Sequence, residues 1–474
     1  MRNYIYFHDS AVYPADKYFR PDNAYPEYPF SRMGISEQAN DIYEMIRSMF
    51  IELHLDKENI GSKIWNPLGE YISPGDVVLI KPNWVKHENG AVKGKGGMEC
   101  LITNTSVIKC IIDYTLIALK GSGKLIVADA PVQSCDFEKL KKRAGLYDLE
   151  SFYKRAGYDI KFEDLRSYKS RKINQKLMTV STDSAYTAQD VNLGKHSYFF
   201  NDCHEGRLRI TNYDYREVNR HHRGDRHEYC ISEACLAADV IINLPKPKTH
   251  RKAGYTGALK NMVGINAAKD YLPHHTKGSY ILNEGDEYYS DSKIAKKKSD
   301  INDLVDLLEK KSLFCISRIL KKRINQLIDK EKYSEGSWWG NDTIWRTILD
   351  LNLIVLYADK QGLLKNTRQR KVITIGDMIV SGEKEGPMLP VPKKTYSIIF
   401  ADNSVLFDLI LVRFMGFHEN KFKLLKEARK NRKLIEKKIN DCDIHSNCEQ
   451  FNKKVLRFQS GYKFEPSMGW KGYL

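Results

Sequence analysis

Four short apolar segments, each following a turn and ending in polar residues, restrict the folds open to this chain more than any other feature. They are GDVVLIKPN (75–83), GKLIVADAP (123–131), ADVIINLPK (238–246) and KVITIGDMI (371–379). Segments this short, rich in valine and isoleucine, are typical of strands buried on both faces of a sheet. Helical patterns lie between them, at about 106–120, 137–144, 231–237 and 405–414. The sequence therefore predicts an α/β fold, a mostly parallel sheet flanked by helices.

The length of the chain leaves room for additions to this core. With 474 residues, 42% of them hydrophobic, the chain can form a large α/β domain with insertions. We expect an N-terminal extension (1–74), a core that carries the site (75–279 and 371–416), a mainly helical insertion (280–370) and a basic helical C-terminal region (417–474). Two basic segments, 310–330 and 420–440, show helical spacing of apolar residues. We interpret both as solvated surface helices, with lipid or nucleic-acid contact as the alternative.

Charge and cysteine content narrow the class of protein and its partners. Lysine and arginine (76) outnumber aspartate and glutamate (60), and the formal net charge of +16 favours phosphates, nucleic acid or an anionic membrane surface as binding partners.

The nine cysteines include no C-x-x-C pair, so neither a disulfide framework nor a zinc ribbon is indicated. No run approaches the roughly 18 apolar residues of a membrane span. We expect a protein of the cytoplasm, either free or in peripheral contact with the inner face of the membrane. We expect no specific nucleic-acid partner.

The predicted strands bring polar residues to one edge of the sheet. Ligands of open parallel sheets bind outside the carboxyl ends of the strands. At those ends the sequence has Lys81 and Asn83, Asp129, Asn243 with Lys246 and Lys248, and Asp377. We therefore expect a ligand site at this edge.

The segment NLPKPKTHRKAGYTGALKNMVG (243–264) contains five lysine and arginine residues and no acid. Prolines beside Lys246 hold the chain extended, so Lys246 and Lys248 should point to the same side. A helix that opens near Thr256 would present backbone N–H groups to an anion, with Lys260 one turn further along. The segment predicts a phosphate or carboxylate site; a basic loop paired with acids from elsewhere is the alternative. The spacing of a Walker A loop is missing.

A second polar segment, NRHHRGDRHEYC, is rich in histidine. It supplies His221, His222 and His227 together with Asp225 and Glu228. Histidines in this number could ligate a metal or act as acid and base near neutral pH, and solvated histidines in a polar loop are the alternative. No spacing matches a zinc signature, and the interleaved arginines favour an anionic ligand over a cation.

Two further segments carry candidate residues. In WWGNDTIWRTILDLNLIVLY, Asp342, Arg346 and Asp350 share one helical face. They form either a salt-bridge ladder or, because apolar residues surround them, a polar stripe that faces a cavity or a site. In IGDMIVSGEKEGPMLP, a strand end followed by a glycine-rich loop carries Asp377 and Glu385, which could bind a metal or a hydroxyl or act as a base; a plain flexible loop is the alternative.

Five segments carry a resemblance to a known family. They are, in order, VVLIKPNWV, ADVIINLPKPKTH, TGALKNMVG, IGDMIVSGEKEGP and SVLFDLILVRFMG, spread between residues 77 and 416. Together they resemble the bacterial and archaeal family called domain of unknown function 362. The chain is most similar to a subgroup without the family's iron–sulfur cysteines, of the kind found beside genes for capsule and other surface polysaccharides. The resemblance implies that no iron–sulfur cluster is bound.

The resemblance also implies a set of functional positions, matched residue by residue. They are Lys81, Pro82, Asn83, Asn243, Pro245, Lys246, Lys248, Thr249, His250, Lys260, Asn261, Asp377, Glu385, Gly386 and Asp408. Several of them are the strand-end residues that the pattern alone indicates.

We therefore expect an enzyme of surface-polysaccharide biosynthesis that transfers a glycosyl or phosphoryl group. Its substrate would be an anionic sugar: a sugar phosphate, a sugar nucleotide or a lipid-linked saccharide. The expected anion ligands are Lys81, Lys246, Lys248 and Lys260. Asn83, Asn243, Asn261, Thr249, Asp342 and Arg346 would make further substrate contacts. The expected acid or base is His250, His222 or His227, with Asp377 or Glu385 as its partner.

Two other functions stay open at this point. One is a non-catalytic binding or scaffold protein at an anionic membrane or a protein partner. The other is a metal-dependent hydrolase that uses the histidine-rich segment. No cofactor is assigned, and a divalent metal ion is left open.

Overall fold

Strands and helices alternate along most of the chain, as the apolar segments predict. The computed structural model of the protein describes residues 1–173, 176–201, 205–311, 313–326, 331–436, 439, 442–457 and 461–474. The strands are β1 (Asn3–Phe7), β2 (Val77–Pro82), β3 (Lys124–Asp129), β4 (Phe162–Asp164), β5 (Tyr168–Ile173), β6 (Lys176–Ser181), β7 (Ala188–Asn192), β8 (Leu208–Arg209), β9 (His222–Arg223), β10 (Arg226–Ser232), β11 (Val240–Leu244), β12 (Lys248–His250), β13 (Gly254–Thr256), β14 (His275–Thr276), β15 (Lys371–Glu385) and β16 (Leu389–Ala401). The α-helices are α1 (Asp41–Glu52), α2 (Lys95–Glu99), α3 (Thr105–Leu119), α4 (Phe137–Ala144), α5 (Leu146–Arg155), α6 (Tyr215–His221), α7 (Glu233–Leu236), α8 (Ala258–Asn261), α9 (Lys293–Lys310), α10 (Phe314–Gln326), α11 (Ile344–Tyr357), α12 (Ser404–Phe414) and α13 (Lys423–Lys430).

A mixed sheet with a parallel centre confirms the predicted α/β fold. Its strand order is β1-β16-β15-β11-β2-β3-β4. The neighbours from β15 to β4 are parallel, while β16 and β1 extend the sheet by antiparallel pairing. The four predicted strands are β2, β3, β11 and β15, and they lie side by side, so their carboxyl ends share one edge. A hairpin of β12 and β13 continues beyond β11 and pairs with β15 through Lys248 and Gly382.

Both faces of the sheet are covered, which explains why its strands read as continuous apolar runs. In β11, Val240 and Ile242 point into a core shared with α1, α3 and α5. The residue between them, Ile241, points into a second core shared with α11 and α12. Alternate residues of each central strand therefore stabilise opposite layers of the molecule.

Two elements differ in extent from their predictions. The segment predicted to be a strand end and a loop is one long strand, β15, because it pairs with β16 as far as Glu385 opposite Leu389. The helix predicted from residue 231 begins at Glu233 instead, because β10 continues through Ile231 to Ser232. The Ser232 side chain accepts a hydrogen bond from the Ala234 backbone N–H and caps the helix.

Within its described residues, the segment 280–370 contains three α-helices with different surroundings. Helices α9 and α10 pack against each other, while α11 lies in the same core as α12 and is buried on nearly all sides. In the segment 420–440, α13 is the α-helix within the described residues. Residues 327–330, 437, 438, 440 and 441 lie outside the described residues. Where the chain is described, no helix has the length and apolar character needed to cross a bilayer.

Candidate functional site

The carboxyl edge of β2, β11 and β15 gathers the predicted lysines, but their environments differ. Lys81 ends β2, Lys246 follows β11 and Lys248 begins β12. The side chains of all three are completely buried. A buried ammonium is strongly destabilising unless a charged or polar partner compensates for the lost hydration. The partners of each lysine therefore decide what it can do.

Lys81 is neutralised inside the protein. Its Nζ lies 2.7 Å from Oδ1 of Asp129, at the end of β3. The same carboxylate accepts hydrogen bonds from the backbone N–H groups of Trp84 and Ala130. Gly264 covers the pair so closely that a Cβ there would lie 1.9 Å from Asp129 Oδ1. This arrangement ties β2 to β3 and neutralises the buried Lys81 without a ligand.

Lys246 is also neutralised, by residues far away in the sequence. Its Nζ lies 2.9 Å from Oδ2 of Asp377 and donates to the Tyr13 hydroxyl at 2.6 Å. Tyr13 in turn donates to Oδ1 of Asp377 at 2.6 Å, and the Asn104 backbone N–H donates to Oδ2. Lys246, predicted as an anion ligand, and Asp377, predicted as the partner of a histidine, therefore neutralise each other in this structure.

The three predicted asparagines form hydrogen bonds to groups inside the protein. Asn83 donates to Asn261 at 2.9 Å, Asn261 donates to Asn243 at 2.7 Å, and Asn243 donates to the Ala258 carbonyl at 3.0 Å. All three side chains are buried. This chain of amides connects β2, β11 and α8 and fixes their relative positions.

Lys248 and Lys260 differ from the other two lysines because no carboxylate of the described residues neutralises them. The side chain of the fully buried Lys248 makes one hydrogen bond within the described residues, from Nζ to Oδ1 of Asn83 at 2.7 Å. Lys260, in α8, is partly exposed, and its side chain has no hydrogen bond or ion pair within the described parts of the chain. Burial, with the nearby charges of Lys246 and Lys260, lowers the pKa of Lys248 to about 7. Burial lowers the pKa of Lys260 to about 8.

His250 faces the same cluster as a neutral hydrogen-bond donor. Its Nδ1 accepts hydrogen bonds from the backbone N–H groups of Lys252 and Ala253, at 3.0 and 3.1 Å. Nε2 must therefore carry the proton, and it has no hydrogen-bond partner among the described residues. Burial, and then the charge of Lys260, lower the pKa of His250 far below its usual value. The predicted role of His250 as acid or base is thus less favoured than donation of a hydrogen bond to an anion.

The N-terminus of α8 is occupied by an internal carboxylate. Asp408 of α12 accepts hydrogen bonds from the backbone N–H groups of Ala258 and Leu259 and from the Tyr255 hydroxyl. The expected binding of a ligand by N–H groups near Thr256 is therefore replaced by this cap. Burial raises the pKa of Asp408 to about 7.

The remaining residues predicted at this edge contact other parts of the chain. Thr249 donates to the Lys384 carbonyl at 2.8 Å. Glu385, at the end of β15, accepts a hydrogen bond from the Met468 backbone N–H at 2.6 Å. Both side chains hold neighbouring segments together, and neither forms a hydrogen bond or ion pair with the side chain of Lys248 or Lys260 in the described structure.

The polar stripe of α11 forms internal contacts. Asp342 pairs with Lys423 and lies 3.1 Å from Arg346, which also donates to the Tyr198 carbonyl at 2.5 Å. Asp350 accepts hydrogen bonds from the Ser197 hydroxyl, the Tyr198 backbone and the Tyr229 hydroxyl. The stripe therefore fastens the loop at 197–198 to the core.

The histidine-rich segment lies apart from the lysines and divides into two groups. His222 and His227 line a cavity of about 160 Å³, and burial lowers the pKa of His222 to about 3. In the second group, donor atoms of Asp190, His221 and Glu228 all lie within 4.8 Å of one another. These three residues could hold a metal ion, although the Arg226 guanidinium lies 2.6 Å from the same Glu228 carboxylate.

The sequence did not reveal the partners that distinguish Lys81 and Lys246 from Lys248 and Lys260. Tyr13 gave no signal, because nothing in its neighbourhood indicates a buried hydroxyl. Asp129 was visible at a strand end, but its pairing with Lys81 depends on the neighbouring positions of β2 and β3.

Comparison with known proteins gives a family match and one structural likeness. Residues 200–413 match the family model described as domain of unknown function (DUF362). This match supports the resemblance for that part of the chain, which contains every implied position except Lys81, Pro82 and Asn83. A crystal structure of a Thermotoga maritima protein is similar over 75% of this chain, at 13% identity and a TM-score of 0.27. The chain covers 54% of that protein, about half its length. No curated protein matches the chain.

Proposed function

We propose that this protein is an enzyme acting on a phosphorylated or otherwise anionic sugar, whose anionic group binds between Lys248 and Lys260. One observation carries the proposal. At a single sheet edge, two lysines have carboxylate partners and two have none within the described structure. Since a buried, uncompensated ammonium destabilises the folded protein, a bound anion is the simplest compensation for Lys248.

Lys248, Lys260 and His250 also suit a reaction in which a phosphate or diphosphate is the leaving group. Two lysine charges and the Nε2–H of His250 would stabilise the negative charge that develops on a departing phosphate or diphosphate. With a pKa of about 7, Lys248 can also exist as a neutral amine that accepts a proton near neutrality. Glycosyl or phosphoryl transfer is therefore the reaction we propose. The sugar, and the link to surface polysaccharides, are proposed from the family resemblance alone.

Ligand binding tests this proposal directly. Isothermal titration with inorganic phosphate, sugar phosphates and sugar nucleotides should give saturable binding to the wild-type protein. Lys248→Met and Lys260→Ala should each weaken binding by about tenfold or more, since each removes one charged contact. Lys154→Ala, which replaces an exposed lysine of α5, is the matched control and should bind like wild type. Saturable binding that both site variants retain would refute the assigned site, and no binding of any of these ligands would refute the function.

A metal-dependent hydrolase is the second candidate, favoured by the group Asp190, His221 and Glu228. A histidine and two carboxylates can ligate zinc or manganese. Equilibrium dialysis with each ion should then show one bound ion per chain, lost in His221→Ala. No binding to the wild-type protein, or equal binding to the variant, would remove this candidate.

A further inference from the structure

Helix α10 presents an apolar face that no described part of the chain covers. Leu313, Ile316 and Ile319 are 43%, 49% and 58% exposed. Leu313 belongs to the first helical turn, because its carbonyl accepts a hydrogen bond from the Ser317 backbone N–H. Spacings of three residues place the three side chains on one side of the helix, which we call the α10 apolar face. An adjoining side of the helix packs on α9: Ser317 is buried, and Lys321 pairs with Glu309 at 2.8 Å.

The other basic helix in the C-terminal half behaves differently. Helix α13 also combines apolar and basic residues, but its Leu424, Leu425 and Ala428 are buried in the main core. Its apolar side therefore already has a partner. Of these two basic helices, only α10 has an exposed apolar side, and such a side is a candidate binding surface.

Exposed cations without ion-pair partners among the described residues lie on α10 and on α9, the helix it packs against. Arg318, Lys322 and Arg323 of α10 and Lys296 and Lys297 of α9 are exposed, and no residue in the described ranges forms an ion pair with them.

Two of the four acidic residues of α9, Asp300 and Asp303, form ion pairs with other parts of the protein. Asp303 pairs with Arg209 at 2.9 Å and with Lys277 at 2.6 Å, and Asp300 pairs with the same lysine. The outward surface of the two helices therefore combines apolar side chains with uncompensated cations.

We propose that the α10 apolar face binds an anionic membrane surface, with its three side chains among the lipid headgroups. A helix that lies in the interface buries an apolar side and places lysine and arginine beside anionic lipids. A second copy of this chain would suit the face less well, because a two-fold symmetric contact would bring the same cations together. The proposal rests on this surface alone and is independent of the anion site at the sheet edge.

Vesicle sedimentation at low salt tests the proposal. Wild-type protein should sediment with phosphatidylcholine vesicles that contain phosphatidylglycerol and stay in solution with phosphatidylcholine alone. Ile316→Ser combined with Ile319→Ser should reduce the vesicle-bound fraction about tenfold. Lys322→Glu combined with Arg323→Glu should do the same and should remove the dependence on phosphatidylglycerol.

Matched controls separate this face from general surface effects. Ile64, Lys57 and Lys63 are exposed and, like the α10 apolar face and its cations, combine an apolar side chain with basic ones. They lie far from α10 in the sequence. Ile64→Ser, and Lys57→Glu combined with Lys63→Glu, should bind vesicles like wild type. Circular dichroism should show that all variants keep the wild-type helix content.

Three results would overturn the proposal. The first is wild-type protein that stays in solution with phosphatidylglycerol vesicles. The second is equal loss of binding in the control variants. The third is a concentration-dependent dimer, seen by sedimentation velocity, that Ile316→Ser with Ile319→Ser abolishes, since this would assign the face to a second copy of the chain.

Discussion

Lys246 and Lys248 are two residues apart and equally buried, yet their substitution should change the stability of the protein to very different extents. Lys246→Met leaves the buried Asp377 carboxylate without its cation and should lower the free energy of unfolding by about 3–5 kcal/mol. Lys248→Met removes a charge that has only an amide partner, so the change should stay within about 1 kcal/mol. Urea unfolding at neutral pH measures both values. An equal loss in the two variants would contradict the assignment of Lys248 to a ligand.

The pH dependence of anion binding is a second prediction at the residue scale. The lysines bind an anion when protonated, and in the ligand-free protein the pKa of Lys248 is about 7 and that of Lys260 about 8. Affinity for sulfate, which keeps its charge over this range, should therefore fall as the pH rises above 7, by up to about tenfold per pH unit for each proton lost. Titration calorimetry from pH 6 to pH 9 should show this decrease. In Lys248→Met the decrease near pH 7 should be missing, and an unchanged profile would argue against its origin in Lys248.

At this scale the sequence predicts which residue types meet but not which of them pair. The strand-end position of Lys81, Lys246 and Lys248 follows from the apolar segments, because parallel strands end at one edge. The carboxylates that neutralise two of them come from β3 and β15, whose neighbours in the sheet no local pattern reveals. The distinction between paired and unpaired lysines is therefore a result of the structure.

Helix α8 has a single turn and depends on Asp408 for its N-terminal cap. Asp408→Ala would leave the buried N–H groups of Ala258 and Leu259 without acceptors and should lower the free energy of unfolding by about 2–4 kcal/mol. Anion affinity should fall as well, because α8 carries Lys260. Urea unfolding and phosphate titration measure the two effects. Asp136→Ala, which removes the more exposed cap of α4, should lower the free energy of unfolding by about 1 kcal/mol and leave anion affinity unchanged. Wild-type affinity in Asp408→Ala would contradict this role of α8.

Elements were predictable where burial alone determines them. The four predicted strands are correct because a strand covered on both faces must be apolar throughout. The length of β15 was not predictable, since its last five residues, SGEKE (381–385), have no apolar side chain and form a strand through pairing with β16. The polar stripe of α11 was predicted either to form a salt-bridge ladder or to face a cavity, but the hydroxyls that bind Asp350 come from β10 and a distant loop.

Across the whole molecule, both ends of the chain converge on the sheet edge. Tyr13 closes the Lys246–Asp377 pair. Near the other end, the Trp470 indole donates to the Arg251 carbonyl at 2.7 Å, beside His250. Gly254, with a φ of 82°, lets this loop turn closely against Trp470 and Phe422. These long-range contacts were not predictable from local sequence, yet they fix the loop that carries His250.

Trp470→Ala tests this coupling between the chain end and the site. Loss of a buried tryptophan should lower the free energy of unfolding by about 3–5 kcal/mol. Anion affinity, measured where the variant is still folded, should also fall because the loop beside His250 loses its support. Trp65→Ala, in the core on the other face of the sheet, is the control: it should be similarly destabilised but bind anions like wild type. Equal affinity in the two variants would show that the chain end does not organise the site.

The central claim is that an anion lies between Lys248 and Lys260, and a crystal structure of the protein with a sugar phosphate tests it most directly. The account predicts a phosphate group within hydrogen-bond distance of both lysine Nζ atoms, with His250 Nε2 donating to it. The Lys81–Asp129 and Lys246–Asp377 pairs should be unchanged. A ligand bound at another place, with Lys248 still bonded only to Asn83, would contradict the account.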